Sequence, residues 1–101
     1  MKYQIPEILK AGGGSIIVTS SQHAFSTRPG GASLAQSCAM DYADQGLRVC
    51  VVAPGITDTP MFRRATGSNP HAVARANDLV RGLKRVAQPE EVARVALWLA
   101  S

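Results

Sequence analysis

The stretch LRVCVVAP, residues 47–54, is an apolar run rich in β-branched residues that ends in a proline. A second run, SIIVTS at residues 15–20, has the same character, and a helical pattern lies between the two. Runs that are apolar on both faces are typical of strands in parallel sheets, which helices cover on both sides. Strand, helix and strand in this order predict a parallel βαβ unit with a right-handed crossover. The predicted fold class is therefore α/β, a parallel βαβ unit followed by C-terminal helices.

Helices are predicted before and between these strands. The spacing of apolar residues predicts a first helix that ends at the glycine run 12–14. A second helix is predicted over residues 32–43, after a polar loop at residues 22–31, and Gly46 suits the left-handed position that follows a helix end. The apolar spacing rests on Ile5, Ile8 and Leu9 in the first helix, and on Leu34, Cys38 and Tyr42 as the buried stripe of the second.

The sequence after residue 54 predicts a loop, a weak helical region and a strong final helix. Residues 55–62 read as the loop, and residues 63–83 are weakly helical with interruptions at Gly67, Pro70 and Gly82. In the final helix, residues 88–100, Pro89 can occupy the first turn and two glutamates favour its positive end. Its predicted buried stripe is Val92, Val95, Ala96 and Leu99.

Composition narrows the class of protein. The 101 residues, 1–101, have room for one small domain and carry a net charge of +4. The basic residues match no nucleic-acid-binding motif, and no apolar run is long enough to span a membrane, so neither partner is expected. No cysteine or histidine set suggests a metal site, and two cysteines without a disulfide framework, with no secretory signal, predict a cytoplasmic location.

Three segments together resemble the short-chain dehydrogenase/reductase family. They are GGGSIIVTSS, DYADQGLRVCVVAPGITDTPM and PEEVARVALWLAS. The most specific part is the pattern G-[IL]-R-V-x-x-V-x-P-G at residues 46–55, followed by Thr59-Pro60-Met61. The resemblance implies part of a Rossmann fold, which binds NAD or NADP at the carboxyl ends of its strands. It also implies an oxidoreductase that transfers hydride between NAD(P) and a small carbonyl or alcohol substrate.

The resemblance assigns roles to five residues. Ser21 matches the catalytic serine, whose hydroxyl hydrogen-bonds the substrate carbonyl or alcohol. Pro54 and Gly55 begin the segment that lies against the nicotinamide, where glycine allows a close approach of the backbone. Thr57 matches the position whose backbone meets the carboxamide, and Thr59 matches the hydroxyl near the carboxamide and phosphate.

Simpler interpretations of the same residues remain open. Ser20 and Ser21 can satisfy backbone groups at a strand end, and Thr59 before Pro60 can cap a helix, a role compatible with cofactor binding. His23 lies two residues past Ser21, but the family uses no histidine there, and a surface loop position is predicted for it.

The family's catalytic pair has no match. In the family, Tyr-x-x-x-Lys follows the serine on the next helix, with tyrosine as general acid/base and lysine lowering its pKa. At the matching positions this sequence has Leu34 and Cys38, and about ten residues, near three helical turns at 3.6 residues each, are predicted to be deleted from this helix. The family's glycine-rich cofactor turn would lie before Met1, and its last strand after Ser101.

Two functional hypotheses follow. One is that the chain is related to oxidoreductases but is inactive by itself. Whether residues 1–101 alone bind NAD(P) stays open in this hypothesis. The other is a non-enzymatic remnant that interacts with other chains. Exposed strand edges and an incompletely covered sheet also predict self-association and marginal stability.

Overall fold

The computed structural model describes residues 1–21, 31–80 and 82–101. The loop predicted at residues 22–31, including His23, falls outside the described residues except for Gly31, which begins a helix. The elements in chain order are α1 Gln4–Lys10, β1 Gly14–Thr19, α2 Gly31–Tyr42, a 3-10 turn Ala43–Gln45, β2 Leu47–Val52, α3 Pro60–Thr66, α4 Pro70–Leu79 and α5 Pro89–Ala100. The predicted α/β class is confirmed.

The two strands are parallel neighbours, as predicted. Ile16 of β1 pairs with Val49 of β2, and the ladder ends where Thr19 pairs with Val52. The second strand was predicted to reach Pro54, but it stops two residues earlier. The Val52 carbonyl oxygen accepts the last bond of the ladder, from the Ser20 N–H, and Pro54 has no N–H to donate to a ladder.

Helices cover both faces of this sheet. Leu47 and Val49 pack with α1 and α2, whereas Arg48, which points the other way because strand side chains alternate, reaches α5. The Arg48 guanidinium donates to the Ser15 hydroxyl at 2.6 Å and to the Leu99 carbonyl oxygen at 3.1 Å. Helices α1 and α2 therefore lie on one face of the sheet and α5 on the other, the arrangement that a doubly wound sheet requires.

The core lies at the α1 and α2 side of the sheet. Ile5, Cys38 and Leu47 are its buried members, and Leu47 is only 2% exposed. The predicted stripe on α2 is partly wrong, because Leu34 is 57% exposed and Ala35 is buried instead. The contact face runs through Ala35, Cys38 and the half-buried Tyr42, an i, i+3, i+7 line that places Leu34 at its flank.

Two separate helices, α3 and α4, occupy the region predicted to be weakly helical. The first begins at Pro60, inside the predicted loop, because Thr59 caps it: the Thr59 Oγ1 accepts from the Phe62 N–H at 3.3 Å. Gly67 ends it in a left-handed conformation with φ of 59°. Asn69 caps α4, and Pro70 fills its first position.

The final helix is confirmed at residues 89–100, with Pro89 in its first turn. It contacts both strands. Val92, Ala96 and Leu99 are half-buried against them, whereas Val95, predicted to be buried, is 47% exposed at the margin of that face. Within the described residues, no helix has both the length and the apolar character needed to cross a membrane.

Candidate functional site

A cleft of about 720 Å³ lies at the carboxyl ends of the two strands. Because β1 and β2 are parallel, the segments that follow them leave the sheet at the same edge. Ser21 reaches the cleft from the end of β1, and Pro54, Gly55, Thr57 and Thr59 reach it from the segment after β2. The structure thus brings all five residues that the sequence singled out to one cavity.

The position of Ser21 follows from the last bond of the sheet. The Ser20 N–H donates to the Val52 carbonyl oxygen at 2.7 Å, which continues the parallel pattern one residue past β1. Ser21 comes directly after this bond, is half-buried and lines the cleft. The strand end therefore fixes the backbone that carries the hydroxyl.

A parallel bridge between Thr57 and Ala87 holds the segment after β2. The Ala87 N–H donates to the Ile56 carbonyl oxygen at 3.0 Å, and the Asp58 N–H donates to the Ala87 carbonyl oxygen at 2.8 Å. In a parallel bridge only the neighbours of the central residue bond to the partner. The N–H and C=O of Thr57 itself therefore face away from Ala87.

Two threonine hydroxyls complete the polar part of the cleft. The Thr57 Oγ1 donates to the Gly55 carbonyl oxygen at 3.1 Å, which tightens the turn. The Thr59 Oγ1 accepts from the first turn of α3, so its cap bond uses a lone pair and not its O–H. The predicted capping role of Thr59 is confirmed, and it is compatible with a second bond to a ligand.

Two ion pairs lie near the bridge, one after Thr57 and one around Ala87. The Arg63 guanidinium donates to both Asp58 carboxylate oxygens, at 2.8 and 3.0 Å. This hydrogen bonding lowers the pKa of Asp58 and raises that of Arg63. Since fork-like pairing of this kind has a defined geometry, it ties the loop at Asp58 to the outer side of α3.

A second pair lies at the start of α5. The Arg85 guanidinium donates to Glu91 at 2.7 and 2.8 Å, and the Gln88 N–H donates to the same carboxylate at 2.7 Å. The Arg85 bonds first and the Gln88 bond second lower the pKa of Glu91 to about 2. Arg85 and Glu91 also line a second cavity of about 510 Å³, which shares Gly55 and Ile56 with the cleft.

Other polar candidates do not join the site. His71 is exposed on α4, and Cys38 lies in the core. Tyr42 packs against the core cluster at the opposite end of β2 from the cleft. Among residues 1–21, 31–80 and 82–101, no group of histidine, cysteine and carboxylate side chains could hold a metal ion.

The sequence did not indicate which apolar residues line the cleft. They are Ile56, Met61, Phe62, Ala65, Pro89 and Val92. The spacing of residues 61, 62 and 65 is a helical signal, but the region was interpreted as a loop up to Phe62. Nothing in the sequence indicated the role of Ala87, because its backbone forms the bridge and an alanine side chain carries no signal for this.

Comparison with known proteins gives a consistent result. A family model described as enoyl-(acyl carrier protein) reductase matches residues 1–101. The uncharacterized oxidoreductase YxbG of Bacillus subtilis is 37% identical, over 99% of this chain and 41% of its own length. Cyclohexanol dehydrogenase of Acinetobacter sp. is 33% identical, over 100% of this chain and 41% of its own length.

These alignments also bear on length. The chain spans about two fifths of both relatives. Each alignment runs over 114 residues, more than the 101 of this chain, so each opens gaps in it. The aligned segment is therefore longer in the relatives than here.

Solved structures share the fold. ElxO with NADP bound superposes with a TM-score of 0.89 at 23% identity, covering 100% of this chain and 44% of that one. A short-chain dehydrogenase family protein from Francisella tularensis has a TM-score of 0.78 at 27% identity, covering 99% of this chain and 49% of that one. The βαβ unit and its flanking helices are thus the same architecture in all three.

Proposed function

Because the chain belongs to the short-chain dehydrogenase/reductase family, we propose that its cleft is the nicotinamide- and substrate-binding part of an NAD(P)-dependent oxidoreductase. In such an enzyme hydride passes between the cofactor and a carbonyl or alcohol. One observation carries the proposal: Ser21 from one strand end shares a single cleft with Thr57 and Thr59 from the neighbouring strand end. Ligand sites of open α/β sheets lie at this edge.

The backbone of Thr57 fits a carboxamide. Its N–H and C=O face away from the Ala87 bridge, and Thr57 lines the cleft. A carboxamide offers one acceptor oxygen and an NH₂ donor, which complement that N–H and C=O pair. The Thr59 O–H is a further donor near the same edge. When bound there, nicotinamide would supply or accept the hydride.

Ser21 would orient the substrate. Its hydroxyl can donate to a carbonyl oxygen or accept from an alcohol, so one side chain serves both reaction directions. Placement on a strand end fixed by the Ser20–Val52 bond supports this role, because a positioning group must be held in a defined geometry.

The chain alone is expected to be inactive, because an essential proton carrier has no counterpart. Tyr3 is followed four residues later by Glu7, and Tyr42 by Gly46, so the sequence has no Tyr-x-x-x-Lys. Without a general acid/base, hydride transfer to a carbonyl leaves an unprotonated alkoxide, a loss of about 10²–10⁴-fold in rate. The same absence favours a second candidate function, a non-enzymatic remnant that acts by contacting other chains.

A chimera separates the two functions. Residues 46–66 of this chain would replace the aligned segment of the Acinetobacter cyclohexanol dehydrogenase, which supplies the rest of the fold. We expect cyclohexanol oxidation to persist within about tenfold, and Thr57→Pro in the chimera, which removes the N–H, to reduce it by a further ~10-fold. A folded chimera without activity would favour the remnant.

A further inference from the structure

The charge of the lining points to the substrate class. Resting on the proposed function, we propose that the cleft selects an uncharged, largely apolar carbonyl compound or secondary alcohol and discriminates against anionic substrates. None of the described residues that line the cleft has an ionisable acid or base in its side chain. A site for carboxylated or phosphorylated substrates would instead present arginine or lysine.

The wall formed by α3 is apolar because of its helical spacing. Met61, Phe62 and Ala65 line the cleft and lie within about 100° of one another around the helix axis. Arg63 and Arg64 fall on the remaining part of the circumference and do not line the cleft. The two cations nearest in sequence thus project away from the cavity.

The rest of the lining adds apolar surface and neutral hydroxyls. Ile56 and Val92 contribute apolar surface, and Ser20, Ser21 and Thr59 contribute hydroxyls. Hydroxyls can hold a single carbonyl or alcohol oxygen, but they cannot neutralise a full charge. This division suits a molecule with one polar atom and an apolar body.

Two ion pairs lie close to the cleft in the described part of the chain. Asp58 is bonded to Arg63, and Glu91 to Arg85. Arg85 and Glu91 line the second cavity and not this one. An anion entering the cleft would lose hydration and gain no counter-charge from the described residues that line it, which is unfavourable. A neutral ring compound would gain from the same burial.

A matched pair of small ligands tests this. Cyclohexanol and 4-hydroxycyclohexanecarboxylate share the ring and the hydroxyl, and the second compound adds only a carboxylate. Saturation-transfer NMR on the 101-residue chain measures both affinities. We expect cyclohexanol to bind at least about tenfold more tightly than the carboxylate. A tenfold difference is comparable to the effect of one methylene group in an apolar pocket. Equal affinities, tighter binding of the carboxylate, or no detectable binding of cyclohexanol would overturn the proposal.

A variant pair locates the effect. Ala65→Lys places a cation on the α3 wall, and Ala74→Lys places one on the exposed surface of α4, outside both cavities. We expect Ala65→Lys to reverse the preference towards 4-hydroxycyclohexanecarboxylate, and Ala74→Lys to leave it unchanged. If both variants behave alike, the ring does not bind in this cleft.

These results are separable from the proposed function. Cyclohexanol selectivity that depends on residue 65 supports the substrate class even if the chimera described above is inactive. An active chimera together with no charge discrimination by the 101-residue chain would refute the substrate class alone.

Discussion

Thr57 and Ala87, thirty residues apart, meet in a parallel bridge that is closed by two hydrogen bonds of 3.0 and 2.8 Å. The bridge joins the segment after β2 to the residues that lead into α5. It turns the N–H and C=O of Thr57, a residue that lines the cleft, away from Ala87. The geometry of the site therefore depends on a residue that contributes only its backbone.

Removing one bond of this bridge should loosen the loop. Ala87→Pro deletes the N–H that donates to the Ile56 carbonyl oxygen, at a cost of about 1 kcal/mol. We expect hydrogen exchange of the Asp58 amide to accelerate roughly fivefold. Ala87→Ser, which keeps the N–H, is the control and should exchange at the wild-type rate. An unchanged rate in Ala87→Pro would mean that the bridge does not hold the loop.

Two neighbouring glycines should differ in their tolerance of alanine. Gly12 and Gly13 both have positive φ, 92° and 118°, so either substitution strains the backbone. A Cβ on Gly12 would meet nothing within 4 Å, whereas one on Gly13 would lie 2.6 Å from the Gly46 carbonyl oxygen. We expect Gly13→Ala to lower the free energy of unfolding by about 1–2 kcal/mol more than Gly12→Ala. Urea denaturation measures the difference, and equal losses would contradict it.

Stability should fall in acid through Glu91. Its pKa in the folded chain is lowered from the usual 4.5 to about 2, by Arg85 first and the Gln88 N–H second. A lowered folded pKa contributes stability above the unfolded pKa and loses it as pH falls through the folded one. Asp58, whose pKa Arg63 lowers, acts in the same direction. The decline is therefore expected between about pH 5 and pH 2.

A substitution isolates that contribution. Glu91→Gln should flatten the dependence of the unfolding midpoint on pH in this range, and Glu90→Gln, one residue earlier on the same helix, is the control. Denaturation at a series of pH values gives both slopes. A wild-type slope in Glu91→Gln would show that its ion pair does not contribute.

The chain should self-associate and be only marginally stable. Each strand has one neighbour in the described residues, and the end of α5 exposes 70% of Leu97 and 76% of Trp98. Open edges and apolar patches favour contacts between copies. We expect size-exclusion chromatography to show concentration-dependent association that Trp98→Gln weakens and Tyr3→Gln does not. A monomer with a two-state transition above about 5 kcal/mol would contradict this prediction.

The sequence predicted the features that depend on local pattern. The parallel strands, the glycine at 46, the cap at Thr59 and the helix after Pro89 all follow from residue type and spacing. The failures arise where tertiary contacts decide. Leu34 has the larger side chain, but the α2 face that meets β2 passes through Ala35, and no local signal distinguishes the two.

The site was predicted in the same uneven way. The five residues assigned by the resemblance follow the ends of β1 and β2. A parallel sheet brings these ends together, so all five lie in one cleft. The apolar wall was missed because α3 begins at Pro60, and that start depends on the cap formed by Thr59. The bridge at Ala87 could not be predicted, since pairing of two backbones distant in sequence requires no particular side chain.

The central claim is that the backbone at Thr57 and the hydroxyl of Thr59 receive nicotinamide. Its most direct test is a titration of the ¹⁵N-labelled chain with nicotinamide mononucleotide, followed through the amide resonances. We predict weak binding, with a dissociation constant on the order of millimolar, and the largest shifts at Gly55, Thr57 and Thr59. Adenosine monophosphate, which lacks the carboxamide, should leave the Thr57 amide unmoved. The claim is contradicted if nicotinamide mononucleotide shifts none of these three amides, or if the largest shifts lie around Gly46 at the opposite end of β2.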